Sequence, residues 1–426
     1  MNAQTSVDYL NMFADVYETY GRELDLEVVE ATGGPADATA AQADARTVID
    51  LQPFAAIGGP AQTPVYWQEV TNAGILCVGG CSLAEGWDNV EAAAPYLWPT
   101  GPAPEQADVH LPEMLGKQLV GGNAEFAGDP ALREQERVFG WVQAETETGE
   151  YAARNDEFDR IIEEEYDGEI AARSTYLFDP GAAQEAATTV VARMRDAGVT
   201  TIILSVDPLV PKNITEEATK QGYFPEWVMG PSVLADTTIF GRTFDQRQWA
   251  NAIGISLPSA RADNSLSDSY FVYEWYYGTE PPTNTQGVQF AGPDRLMLGI
   301  HMAGPELTPE NFERGLFRYP VNEPGKTYTR ISWGEDLWGR PDYNSTDDVG
   351  AFWWDPEATG ESETGTEGTG MIRYIDGGTR YLPGEWPEEP LPFFEEEGSV
   401  TIYDELPEED ALPEYPAWPG SPASGE

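Results

Sequence analysis

Cysteine, histidine and lysine are scarce in this 426-residue chain, which has two cysteines, two histidines and four lysines (Lys117, Lys212, Lys220 and Lys326). Each shortage removes chemistry. A Cys/His zinc site would need Cys77, Cys81, His110 and His301 to converge, and their spacing gives no sign that they do. HExxH, GxSxG, Walker A and GxGxxG patterns are missing, and with them the sequence signatures of several hydrolases and nucleotide binders. Both histidines lie in apolar, helix-like stretches (HLPEML and GIHMAG), where a packed residue is a better reading than a triad base. Positive charge is short as well: 23 Lys+Arg against 74 Asp+Glu give −51. That balance argues against nucleic acid, which needs clustered cations for phosphate, and against docking on anionic membrane. It suits a protein kept soluble at high salt or outside the cell. No apolar run of ~18 residues exists to span a bilayer. Met1 leads directly into a helical pattern without the basic region of a signal peptide.

The rest is globular in composition: 41% apolar, 12% aromatic, and long enough for two to three domains. Residues 4–20 carry three- and four-residue apolar spacing, which predicts a helix. LDLEVVEA (24–31) predicts a strand and 36–50 an Ala-rich helix. FAAIGG (54–59) and GILCVGG (74–80) are short apolar strands ending in glycines, with a helix at 62–73 between them; YLWP (96–99) closes the set. Apolar strands alternating with helices are the mark of parallel βαβ units covered on both faces. After a helix around 112–119 and a polar stretch (120–135) the alternation restarts. Strands are predicted at 137–144, 174–179, 200–206, 226–230 and 251–257, with helices at 149–166 and 182–197. Two such sets mean two α/β lobes, not one large sheet.

Residues 267–278, 289–304 and 308–317 predict helices, the last opened by a Thr308-Pro309-Glu310 cap. VGAFWWD (349–355) and GMIRYID (370–376) predict strands, and the acidic DPEATGESETGTEG (355–368) between them a solvated loop. Residues 385–426 hold 13 acids, 8 prolines and no cation, so they predict an irregular, solvated tail dispensable for binding.

In open parallel sheets, ligands bind beyond the carboxyl ends of the strands. Here those ends are the loops at 58–63, 79–82, 145–151, 207–212 and 230–232. Helix N-termini beside them offer N–H groups to an anion. Ordinary readings compete: Asp207 and Ser232 suit helix caps, and Tyr66, Trp67 and Trp87 suit packing. Cys77 and Cys81 can be bonded only if the chain turns at Gly79-Gly80; otherwise they are small buried hydrophobes.

LDLEVVEATGGPADATAAQADARTVIDLQPFAAIGGPAQTP, RVFGWVQAETETGEYAARNDEF and TTIILSVDP…GYFPEWVMGPS, in this order and spacing, resemble type I periplasmic solute-binding proteins, the leucine/isoleucine/valine-binding class of ABC importers. The resemblance covers roughly residues 5–320. It implies two doubly wound parallel-sheet lobes joined by a hinge: residues 1–120 with 258–320, and 136–257 with about 345–380. Crossings are expected near 120–136, 257–265 and 320–345. It implies an N-terminal truncation too, because the family opens with a strand ahead of the first helix.

The resemblance implies no catalysis, cofactor or metal. The expected partners are a small polar ligand (an amino acid, an amide or a related compound) and the permease of an ABC importer. The expected protein is a monomer, extracellular or periplasmic and associated with the cell surface. Ligand contacts fall on Gly59, Pro60, Ala61, Gln62, Thr63, Gly80, Cys81, Ser82, Thr148, Tyr151, Asp207 and Ser232. Where the family's amino-acid binders carry an aromatic and an acid, this chain has Thr148 and Ser232. Glu145, Glu147, Asp207 or Asp236 would have to take the acid's role. A ligand-sensing receptor domain of the same fold is the main alternative, and a secreted acidic glycosidase a more distant one.

Overall fold

The computed structural model describes residues 3–145, 155–177, 181–232, 234–335 and 337–425. The first lobe opens with α1 (Ala3–Val16), whose spacing turns Tyr9, Leu10, Met12 and Phe13 inward. Next is α2 (Ala38–Leu51), started by the Asp37 carboxylate, which accepts the N–H groups of Thr39 and Ala40. A parallel three-stranded sheet follows, ordered β1 (Ala55–Ile57), β2 (Leu76–Val78), β3 (Leu97–Trp98). Two helices, α3 (Pro64–Asn72) and α4 (Trp87–Ala92), connect its strands.

The chain then enters the second lobe through α5 (Pro104–Gln118) and a short α6 (Pro130–Arg133). There follow β4 (Phe139–Glu145), α7 (Asp156–Arg160), β5 (Ile170–Leu177), α8 (Ala183–Asp196), β6 (Thr201–Ser205) and α9 (Val210–Lys220). β7 (Glu226–Met229), α10 (Thr238–Gly241), α11 (Gln246–Trp249) and β8 (Ala252–Ser256) complete the unit. Its parallel strands lie in the order β5-β4-β6-β7-β8. Both faces are buried, with the strict alternation of pleated strands. Ile202, Leu204, Trp227 and Met229 face one core; Trp141, Ile203, Val228 and Ile253 face the other.

After β9 (Arg261–Ala262) the chain returns to lobe one as α12 (Asp268–Tyr277), α13 (Gln286–Ala303) and α14 (Pro309–Leu316). Tyr273, Met297 and Phe312 from these helices join α1 and the small sheet in one core. A last passage, 320–348, leads back to lobe two. There β10 (Val349–Glu361) pairs antiparallel with β8, with β11 (Glu367–Tyr374), and with β12 (Arg380–Tyr381). β13 (Ile402–Tyr403) pairs parallel with β9.

Four expectations change. Residues 24–31 are extended but belong to no ladder: Leu24, Leu26 and Val29 lie against the core while Val28 stays exposed, and no strand runs beside them among the described residues. The segment 355–368 is no solvated loop, since β10 and β11 continue through most of it as a long hairpin. The lobe boundary falls earlier than 120. The helix expected at 112–119 already begins at Pro104, and its Leu111, Met114, Leu115 and Leu119 pack in the second lobe's core. Finally, the tail from 385 is not wholly solvated: Trp386, Leu391 and Phe393 are buried in that same core, while most of 411–425 stays exposed. The expected helix at 149–166 is described only from Asn155 onward.

Candidate functional site

The loops beyond the first lobe's strands are built on glycine. Gly79 (φ 52°) and Gly80 (φ 76°) turn the chain so that Cys77 and Cys81 come within 5.8 Å Cα to Cα and are disulfide-bonded. A Cβ at Gly79 would lie 3.0 Å from the Gly292 Cα of α13, and one at Gly80 would lie 3.1 Å from the Gly58 Cα. The Tyr66 ring occupies the place a side chain at Gly59 would need. These glycines therefore permit close packing of loops and helix.

Several donors expected to face a ligand are engaged internally. Gly58 N–H donates to Gly79 O (2.8 Å), Gly80 N–H to Thr100 Oγ1 (2.6 Å) and Gln62 N–H to Pro35 O (3.0 Å). Thr63 Oγ1 caps α3 by accepting Val65 N–H. Ser82 donates to Glu85 Oε1 (3.0 Å), a carboxylate that also accepts the Trp67 indole N–H and the Asn89 amide. Pro60 and Cys81 are buried, Ala61 is partly so, and the Gln62 side chain is exposed.

In the second lobe the capping readings describe what the side chains do. Asp207 accepts the N–H groups of Leu209 and Val210 and the Tyr176 hydroxyl (2.5 Å). Ser232 Oγ accepts from Leu234 and Ala235 N–H. Thr148, Tyr151 and Glu147 lie outside the described residues. Asp236 joins two loop ends, its Oδ2 accepting the N–H groups of Ser232 (3.2 Å) and Leu257 (2.9 Å). Its Oδ1 is buried without a partner, and burial pushes its pKa up to about 7.

The sequence did not disclose the polar network where the lobes join. Arg295 of α13, buried in an apolar helix, donates to the carbonyls of Pro99 and Asn344 and to Ser345 Oγ. The Asn344 amide donates to Gln106 Oε1 (2.9 Å) and Asp342 Oδ1 (2.7 Å). Asp347 accepts from Arg330 (2.6 Å), Ser332 (2.5 Å) and the Trp338 indole (2.9 Å). His110 Nε2 donates to Asp347 O (2.9 Å), leaving a buried, unpartnered Nδ1; burial lowers its pKa to about 4, so it is neutral. Burial likewise pushes Arg295 down to about 10 and Asp342 up to about 7. The only hints were polar residues in apolar helices and the Asp/Asn/Ser density of 342–348. The network cements a junction between the lobes.

A cavity of about 820 Å³ lies at the hinge, between the second crossing (Arg261, Asp263), the β10–β11 hairpin (Glu361, Glu363) and the tail (Asp404, Asp410). Among the described residues, none of the ligand contacts expected from the sequence lines it. No group of three or more metal-ligating side chains, and no helix long and apolar enough to cross a membrane, occurs among the described residues.

No protein-family model matches the chain, and no curated protein matches it in sequence. Solved structures do. The leucine-, isoleucine-, valine-, threonine- and alanine-binding protein from Brucella ovis, in its closed conformation, aligns at TM-score 0.60 and 10% identity over 95% of each chain. An ABC transporter solute-binding protein from Rhodopseudomonas palustris HaA2, in complex with p-hydroxybenzoic acid, gives 0.58 and 11%, over 91% of this chain and 93% of that one. A fatty acid ABC transporter substrate-binding protein from Thermomonospora curvata gives 0.52 and 14%, over 91% and 87%. The fold is that of the type I periplasmic solute-binding proteins, two doubly wound lobes with a hinge between them.

Proposed function

We propose that this chain is an extracytoplasmic solute-binding protein that captures a small polar ligand between its lobes and presents it to the permease of an ABC importer. One observation carries the reading. Two parallel α/β lobes are joined by three crossings, so the loops at the strand ends of both can act on one ligand. The mechanism is closure rather than chemistry: a ligand with higher affinity for the closed state shifts the lobes toward it. The buried Cys77–Cys81 disulfide supports an oxidising, periplasmic or extracellular setting.

The ligand-contacting set in this reading remains the loops at Gly59–Thr63 and Gly80–Ser82 of lobe one, together with Thr148, Tyr151, Asp207 and Ser232 from the second set of βαβ units. Because Thr63, Asp207 and Ser232 are engaged as caps, in this reading they shape their loops and the ligand meets loop backbone and exposed side chains such as Gln62. The working form is a monomer with no nucleic-acid partner. A thermal-shift screen of amino acids, amides, short acids and sugars tests the reading. One chemical class should raise the melting temperature saturably. A flat response across all classes, with the protein folded, contradicts it.

A further inference from the structure

The residues that follow β12 run over the molecule in three stages, and each stage holds a different part. In the first, Trp386 and Phe393 are buried in lobe two, and α5 grips the backbone beside them. Lys117 Nζ donates to Trp386 O (2.7 Å), Gln118 Nε2 to Pro387 O (2.6 Å), and Gln118 Oε1 accepts Leu391 N–H (2.8 Å). In the second, the chain crosses the hinge. β13 pairs with β9, and the buried Asp410 carboxylate accepts the N–H groups of Lys326 and Thr327 and the Thr327 hydroxyl. In the third it reaches lobe one. Trp418 packs against that lobe's core and 6.2 Å from Trp275, whose indole donates to Pro416 O (2.8 Å).

We propose that this segment is a strap that restrains the lobes relative to each other and loosens as ionic strength falls. A segment anchored in lobe two, hydrogen-bonded across the hinge and seated on lobe one must stretch or let go when the lobes rotate. The third stage is built to let go: between residues 411 and 420 only Leu412 and Trp418 are sheltered, and the other side chains are exposed.

Charge supplies the control. Asp404, Glu409 and Asp410 of the strap share the hinge cavity with Asp263, Glu361 and Glu363, and Arg261 is the one cation among the described lining residues. Like charges separated by such a space repel unless counterions screen them within ~8–10 Å at physiological ionic strength. This inference rests on the two-lobed architecture and needs no ligand.

The test is a pulsed spin-label distance between Thr47→Cys on lobe one and Glu185→Cys on lobe two, in the full ligand-free chain. In molar NaCl the parent should give a narrow distribution; Trp418→Ala and Asp410→Ala should broaden and shift it, with far-UV circular dichroism unchanged. Trp275→Phe, which loses the donor to Pro416 but keeps a ring, should shift it less. Lowering the salt should move the parent toward the variants. Should one alanine variant fail to fold, the other reads the same restraint at a separate stage. Identical distributions in parent and folded variants overturn the strap; a parent distribution indifferent to salt overturns its electrostatic control.

Discussion

The two lobes share a construction but not a distribution of strength. Lobe two has parallel strands of up to eight residues, extended by a hairpin whose longer arm has 13. Lobe one has strands of three, three and two. Its cohesion comes instead from helices and rings: Tyr9 meets Tyr273 and Phe290 edge-on at 5.5 and 5.2 Å, and Phe312 meets Trp98 at 5.3 Å. Polar fastening differs too. Lobe two buries a full ion pair, Arg137 with Glu226, whose carboxylate also accepts Thr201 Oγ1 and Phe126 N–H.

The strongest way to break this contrast is to damage each lobe separately. Phe312→Ala empties the centre of lobe one and should cost about 3–5 kcal/mol. Amide exchange should then accelerate in β1–β3 and α13 while β4–β8 stay protected. Glu226→Gln leaves the Arg137 charge buried and poorly compensated, a loss of similar size (about 3–5 kcal/mol), and should reverse the pattern. Uniform loss of protection in either variant would mean that the lobes unfold as one unit.

A smaller effect separates them by pH. Burial raises Asp294, on the first lobe's α13, from 3.8 to about 6. The folded state therefore holds this proton more tightly than the unfolded one. Its stabilising contribution is full below about 3.8 and is lost as pH climbs through 6. Asp294→Asn should thus raise lobe one's stability at pH 7.5 by about 1–3 kcal/mol and flatten its dependence between pH 4 and 7. Tyr17, whose hydroxyl donates to Asp294 Oδ1, keeps an acceptor in the amide. If the variant follows the parent's pH curve, Asp294 is ionised in the fold across this range.

The mildest contrast is in salt. Among the described residues, ion pairs crowd into lobe two (Arg160 with Glu157 and Glu165, Lys220 with Glu217, Arg247 with Asp245, Arg373 with Asp355). In lobe one, Asp88 and Glu91 meet Arg340 of the last crossing. With −51 on the chain, raising NaCl from low to molar levels should lift the melting temperature, and the lower-melting lobe should move more. Equal shifts would show that the acids of both lobes are equally dispersed.

The same contrast explains what the sequence disclosed. Glycine-terminated apolar runs announce buried parallel strands, and local signals such as Thr308 before α14 and Gly198 (φ 70°) after α8 mark helix ends without reference to the rest of the chain. Pairing is not local. The pattern of 24–31 alternates as a strand should, yet a strand exists only beside a neighbour. Pro356 and the acids around it read as loop because composition does not reveal a bulge. Asp355 accepts Glu357 and Ala358 N–H, and the register shifts there before the hairpin resumes. Prolines and acids hid the tail's role similarly, since Trp386 and Asp410 are buried by partners far away in sequence. At the candidate site Ser232 and Asp207 bond their own loops, as the capping reading of the sequence offered, and which loop atoms are left for a ligand is set by contacts far apart in the chain.

The central claim is that the lobes close on a small polar ligand. It is tested most directly by measuring the Thr47→Cys to Glu185→Cys distance while titrating the best stabilising compound from the screen. The account predicts a saturable move to a single, narrower distance at the concentrations that raise the melting temperature. A compound that stabilises the protein fully while leaving the inter-lobe distance unchanged would contradict it.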